Sequence, residues 1–344
     1  MSARTLALLT LALCLQGCYY THVAKGEYDL LSARRPIEEV LKDPRQDAEL
    51  KQRLQLILNA RAYATKALQL PDNGSYTSYV DVKKPYVVWN VFAAPELSLE
   101  PVEHCFLFSG CVAYQGYFDE SEAHAAADSL KADGYEVHIA GVPAYSTLGW
   151  FDDPILSTML RGGEDIVINT VFHELAHQRF YLKGDTAFNE SFASFVGEEG
   201  TRRYLRSLGR DTSKTDLAHE REDRFISMIL ETRASLQRLY ASHLSDEKKR
   251  QRKHEAIERL RKQYATLRAT DWRDFDGYDR WFEQEINNAR LLPFGLYREW
   301  VPAFARLFEE QKGDWTQFYL ASEALANLPA SERVAKLRHL KNSR

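Results

Sequence analysis

The segment Val171-Phe172-His173-Glu174-Leu175-Ala176-His177-Gln178 places two histidines four residues apart, with a glutamate directly after the first. Four residues on an α-helix turn by about 40° and rise about 6 Å, so both imidazoles leave one face and can converge on one ion. Glu174 is turned about 100° from His173, which keeps it off the ion and beside a water at the ion's open position. This is half of a zinc site with a general base attached. Zinc with three protein ligands and one open position lowers the pKa of a water to around 7. A neighbouring carboxylate can then take the proton as the oxygen attacks a carbonyl. Peptide hydrolysis is the usual use of such a set. The same spacing also occurs on ordinary helices whose histidines are merely packed or solvated, so a third ligand has to decide. Glu190, thirteen residues after His177 in Phe188-Asn189-Glu190-Ser191-Phe192-Ala193-Ser194-Phe195-Val196, is that candidate.

Positioning these side chains takes a pair of helices. Residues 166–208 read as two, joined at Lys183-Gly184-Asp185, and so short a turn sends the second back antiparallel, with Glu190 facing the histidines. Upstream, residues 36–70 carry leucine and isoleucine at helical spacing and stop at Pro71-Asp72-Asn73-Gly74. Short aromatic and β-branched runs at 76–82, 86–93, 104–108, 112–117 and 135–140 read as strands, with an alanine-rich helix over 119–132. Downstream, Phe225, Ile229, Leu236 and Leu239, then Ile257, Leu260, Tyr264 and Leu267, predict an antiparallel helical hairpin turning at His243–Asp246. Its basic run over residues 248–253 is balanced by nearby acids and reads as a solvated helix face.

The 344 residues carry 45 basic and 49 acidic side chains, 44% hydrophobic residues and 12% aromatics, a globular composition long enough to bury a real core. With a formal charge of −4 there is no electrostatic footing for a phosphate backbone, which argues against nucleic-acid partners. Residues 1–17 have one charge at Arg4 followed by an eleven-residue apolar run from Thr5 to Leu15, too short to span a bilayer, and read as a signal peptide. The run ends in Leu15-Gln16-Gly17-Cys18, which resembles the bacterial lipobox. That resemblance implies a chain lipidated at Cys18, and Tyr19 in place of Asp points to the outer membrane of a Gram-negative bacterium, facing the periplasm. Cys105 and Cys111 then remain in an oxidising compartment, where a disulfide and two buried thiols are both open readings.

His173–Phe180 (H-E-L-A-H-Q-R-F) followed by Asn189–Val196 (N-E-S-F-A-S-F-V) resembles the zinc site of gluzincin aminopeptidases of the alanyl-aminopeptidase type, which pair H-E-L-A-H-Q-W-F with N-E-G-F-A. The resemblance implies one zinc held by His173, His177 and Glu190, with Glu174 as catalytic base. Most of residues 18–330, including Tyr145-Ser146-Thr147-Leu148-Gly149, more closely resembles a bacterial family of predicted aminopeptidase lipoproteins. Two departures stand out. Only twelve residues intervene between His177 and Glu190, a shorter connection than in the gluzincin enzymes, and no G-A-M-E-N segment is present. Gly162-Gly163-Glu164-Asp165 is acidic but has the wrong order and lies too near His173 to replace it.

Among supporting residues, Glu198 and Glu199 lie where either could orient a ligand histidine through its second nitrogen, Glu198 the better placed, set against an exposed helix carboxylate as the leading reading for both. A tetrahedral oxyanion wants a further donor, commonly a phenol in the resembled enzymes; Tyr297 is the first choice, against a packing role. Gly141–Gly149 is placed to run as an edge strand beside the site, where an extended peptide could add, or as a loop around Pro143.

The expectation is a zincin-like α+β fold. It comprises a signal peptide (1–17), an N-terminal helix plus α/β lobe with a small mixed or antiparallel sheet (18–165), an active-site helix pair (166–210) and an all-helical C-terminal lobe (211–344). The expected function is zinc-dependent peptide hydrolysis, as an aminopeptidase on the strength of the resemblance. The alternatives are a non-catalytic zincin-like envelope lipoprotein used for binding or assembly, and a zinc endopeptidase or amidase acting on cell-wall peptides.

Overall fold

The computed structural model describes residues 19–106, 110–147 and 149–343; the side chains of residues 106 and 295–297 are outside that description, as are the signal-like segment and Cys18. The described residues open with helix α1 (residues 19–32), fastened at once to a sheet: Tyr19 Oη donates to Gly116 O at 3.0 Å and Phe118 N donates to His22 Nε2 at 2.9 Å. After β1 (Arg35–Pro36), the helical stretch expected over 36–70 divides into α2 (Ile37–Lys42) and α3 (Ala48–Leu68). Pro44 cannot continue α2, and Asp47 opens α3 by accepting from Leu50 N at 3.0 Å.

Strands β2 (Ser78–Val80), β3 (Val88–Pro95), β4 (His104–Phe106), β5 (Gly110–Val112) and β6 (Tyr114–Tyr117) follow, then α4 (Glu120–Ala132), β7 (Tyr135–Val142) and β8 (Ile155–Leu156). They make three small sheets rather than one. In the first, β2 lies between antiparallel β1 and parallel β8. In the second, β3 is paired antiparallel with both β6 and β7, and α4 closes one face over Trp89, Val91 and Tyr117. The third is the β4–β5 hairpin, in which Cys105 stands opposite Cys111 and is disulfide-bonded to it.

Helices α5 (Glu164–Arg179) and α6 (Thr186–Ser207) are the antiparallel pair expected from the sequence. Next come α7 (Ser213–Tyr240) and α8 (Asp246–Ala269), the expected hairpin, then α9 (Asp279–Glu283), α10 (Asn288–Tyr297), α11 (Val301–Glu310), α12 (Trp315–Ala326) and α13 (Ala330–Asn342). The stretch 211–344 divides its packing. Phe225, Ile229, Leu260, Tyr264, Phe282 and Leu291 form a core of their own across α7 to α10. Helices α11 to α13 return to the main core, where Phe304 and Phe318 join Leu54, Phe172 and Phe192 beneath the α5–α6 pair. Each fully buried side chain of this size contributes about 1.5–3 kcal/mol, which makes this layer the platform of the helix pair. The basic run on α8 is not simply a solvated face. Lys253 is buried, paired with Glu136 and donating to Glu96 O at 2.8 Å, and Arg250 meets Glu96, so these charges fasten the hairpin to the sheet lobe. No described helix is long and apolar enough to cross a membrane.

Candidate active site

The apolar positions of α5, Val167, Ile168, Val171, Phe172, Leu175 and Ala176, are buried and fix which way the helix faces. Glu164 and Asp165 lie in its first turn, where negative charge meets the positive end of the helix. The helix ends as Phe180 turns extended, and Gly184, at φ +84°, supplies the left-handed step of the return turn. Asp185 caps α6 by accepting from Phe188 N at 3.0 Å, and its other oxygen pairs with Arg333 of α13 at 2.8 Å. Asn189, fully buried, clamps the turn: it accepts from Leu182 N and donates to Leu182 O, both at 2.7 Å. The residue beside Glu190 is thus tied to the connection that sets where α6 begins. Two turns further on, Gly197 lets the helices touch: a Cβ there would lie 3.0 Å from Asn169 O and 3.3 Å from His173 Cβ.

The outcome is a compact triangle. His173 Nε2 and His177 Nε2 are 3.1 Å apart, and Glu190 Oε2 is 3.3 Å from the first and 3.4 Å from the second. Ligand atoms of a tetrahedral zinc with bonds of about 2.0–2.1 Å stand about 3.3 Å from one another, so all three edges fit that ion. Two imidazole nitrogens and a carboxylate oxygen are also a donor set that suits zinc. The side chains are 17%, 5% and 16% exposed, so the triangle is largely shielded but not sealed from solvent. Burial alone would push the Glu190 carboxyl up, but hydrogen bonds and charge from His173 and His177 outweigh it and hold it down at about 2. His173 is moved up: burial opposes its charge, and Glu190, Glu174 and Glu198 override that. Within the triangle the carboxylate and the imidazoles compensate one another for burial, a burden a divalent cation would take over.

Glu174 is off the triangle, as its helical angle requires, and its charge is felt by Tyr76 and Asp153. Tyr76 is fully buried with its backbone at φ +64°. Asp153 organises the Tyr145–Gly149 segment, accepting from Thr147 N at 3.0 Å, Thr147 Oγ1 at 2.8 Å and Ser146 Oγ at 3.2 Å. Gly149 packs on Gln178, the residue after His177, which donates to Ser75 Oγ at 3.2 Å and accepts from Asn73 Nδ2 at 2.8 Å. Of the proposed edge strand 141–149, only Gly141 and Val142 belong to β7; from Pro143 the chain runs as a loop that Asp153 holds, because proline offers no donor to a ladder.

Glu198 does not orient a histidine. It pairs with Arg298, which also faces Glu222 and Asp223 on α7, and His177 Nδ1 is buried without a hydrogen-bond partner among the described residues. Glu199 is not an exposed carboxylate either: it is 16% exposed and bridges Arg202 and Arg203. Tyr297 closes α10, but its side chain lies outside the described residues. Among the described residues, Tyr181 brings a phenol near the triangle, its ring centroid 6.1 Å from that of His177 and its hydroxyl raised by burial and by Glu190. Sequence reasoning passed over Tyr181, Asn189, Gln178 and Gly197. For Gly197 a signal existed, since it follows Glu190 by seven residues and so shares its helix face.

The fold and this constellation define an α+β protein whose antiparallel helix pair carries a candidate divalent-cation centre with an adjacent carboxylate. Over residues 18–337 the chain matches the family described as "Putative aminopeptidase", and it belongs to that family. No curated protein and no solved structure matches it.

Proposed function

We propose that this protein is a zinc-dependent peptidase of zincin-like fold with a gluzincin-type site, acting as an aminopeptidase. His173, His177 and Glu190 hold the metal and Glu174 serves as general base. The observation that carries the reading is the triangle with edges of 3.1, 3.3 and 3.4 Å, built from residues that the H-E-x-x-H spacing alone had paired only in part. When bound, zinc at such a site acidifies a water and polarises the carbonyl to be attacked. The chain's own part is proton traffic and placement. Glu174 takes the proton of the attacking water and returns it to the leaving amine. Asp153, whose carboxyl feels the Glu174 charge, holds the neighbouring loop, and Gly149 packs on Gln178. Lipidation at Cys18 and an outer-membrane location facing the periplasm, read from the lipobox resemblance, belong to the same proposal, with peptides as substrate.

The test is metal analysis of the purified mature chain together with hydrolysis of free and acetyl-blocked peptides. The expected result is about one zinc per chain, cleavage of free peptides only, and loss of 10²–10⁴ in rate for Glu174→Gln with zinc retained. Cleavage of blocked peptides would make it an endopeptidase or amidase. One zinc with no Glu174-dependent cleavage would leave an envelope lipoprotein that binds or assembles.

A further inference from the structure

A cavity of about 600 Å³ opens along the helix pair, with residues of α5, α6 and α7 in its walls. Asn169 and Thr170 on its wall precede His173 by about one turn, and Ser194 and Glu198 follow Glu190 by one and two turns. Its sides are apolar and aromatic, from Ile166 and Ile226 to Tyr278 and Phe294. Its charged end is unbalanced. Arg298 is the guanidinium there, with the His219 imidazole in the same wall, against the Glu198, Glu222 and Asp223 carboxylates and Asp165. Glu198 and Asp223 take the close contacts, which leaves Glu222 at 3.9 Å. Burial pushes the Glu222 carboxyl up; Arg298 and His219 pull it back only in part, with Glu198 and Asp223 working against them. A single positive charge brought into the cavity would meet a carboxylate that the protein itself leaves underpaired.

Distance selects what carries that charge. Eight residues put Glu198 about 12 Å along α6 from Glu190, and Arg298, paired with Glu198, faces Glu222 at 3.9 Å. A peptide's α-nitrogen is only about 2.5 Å from its own carbonyl carbon, whereas a lysine Nζ, several bonds of about 1.5 Å further out, extends on the order of 7 Å and hydrogen-bonds beyond that. The apolar walls suit the methylene stem of such a side chain.

We propose that this cavity is a specificity pocket for a basic side chain, lysine or arginine, next to the cleaved bond, with Glu222 as its carboxylate partner. The assignment rests on the peptidase reading for its meaning and for its kinetic test, and a binding measurement tests the pocket apart from that reading. Zinc-loaded mature chain is given four peptides alike except at one position, lysine or norleucine, each with a free or acetylated amino end. The expected result is at least a tenfold preference in kcat/KM for lysine over norleucine, with the amino end in the same state for both. In Glu222→Gln the preference shrinks about tenfold, and Glu222→Asp recovers part of it. A preference that follows the free amino end and ignores the side chain overturns the assignment, as does a lysine preference that survives in a folded Glu222→Gln.

Calorimetry with n-hexylamine and n-hexanol needs no turnover. If no peptide is cut, yet the amine binds at least several-fold more tightly and Glu222→Gln removes the difference, the pocket stands and the peptidase reading fails. Equal binding of amine and alcohol to the unmodified chain overturns the pocket.

Discussion

Gly197→Ala is the most demanding test of how the triangle is made. The new Cβ would meet a backbone oxygen, Asn169 O, at 3.0 Å and His173 Cβ at 3.3 Å, both inside ordinary contact distance. A backbone carbonyl within a helix cannot swing away, so α6 must back off from α5 by a few tenths of an ångström at that point. Overpacking of this kind costs about 1–3 kcal/mol, and alanine's better helix propensity returns about 0.5–1 kcal/mol. The net expectation is a loss of about 1–2 kcal/mol in urea unfolding. Because Glu190 rides on α6 and the histidines on α5, the same displacement opens the 3.3 and 3.4 Å edges, and zinc affinity measured by chelator competition falls about tenfold or more. Gly200→Ala is the comparison. Its Cβ would strike side-chain atoms of Leu68 at 2.7 Å and Phe172 at 3.0 Å, so it loses stability with a smaller change in zinc affinity. A Gly197→Ala chain that binds zinc within twofold of the parent and melts higher would refute the idea that this contact sets the ligand geometry.

Asn189→Ala removes two 2.7 Å hydrogen bonds to the Leu182 backbone and leaves those part-buried groups unpaired; about 1–2 kcal/mol of stability goes with them, together with part of the zinc affinity, as urea titration and chelator competition will read. Burial outweighs the bonds from Thr147 and Ser146 at Asp153 and raises its carboxyl to about 6 from 3.8. The folded chain therefore binds more protons than the unfolded chain between those values, and stability falls as pH rises through the window. Set against Asp153→Asn, the parent should lose about 3 kcal/mol between pH 3.5 and 6.5; parallel stability curves would contradict this. Glu174→Gln, which leaves the three ligands in place, should keep its zinc while peptide hydrolysis drops by 10²–10⁴, measured on one preparation for both.

Local information made the helix pair and its ligands readable. The four-residue histidine spacing, the Lys183-Gly184-Asp185 turn and Glu190 all lie within 18 residues, where helical geometry by itself dictates direction. The α7–α8 hairpin was legible for the same reason. What escaped depends on partners far along the chain. Glu198 is claimed by Arg298, 100 residues away, so no reading of α6 alone could tell a histidine's partner from a guanidinium's. Lys253 looked like one charge in a solvated run until the sheet lobe supplied Glu136 and Glu96 O. The return of α11 to α13 beneath the helix pair is likewise invisible to periodicity, which marks an apolar face but not what covers it.

The docking of Tyr19 on Gly116 O leaves no slack in the tether that an acylated Cys18 would provide. One residue spans at most about 3.6 Å, so such a protein would be moored with its body hard against the headgroups rather than roaming on a leash. Its cleft would then look out at one fixed angle to the bilayer, and what it acts on would have to arrive at that height.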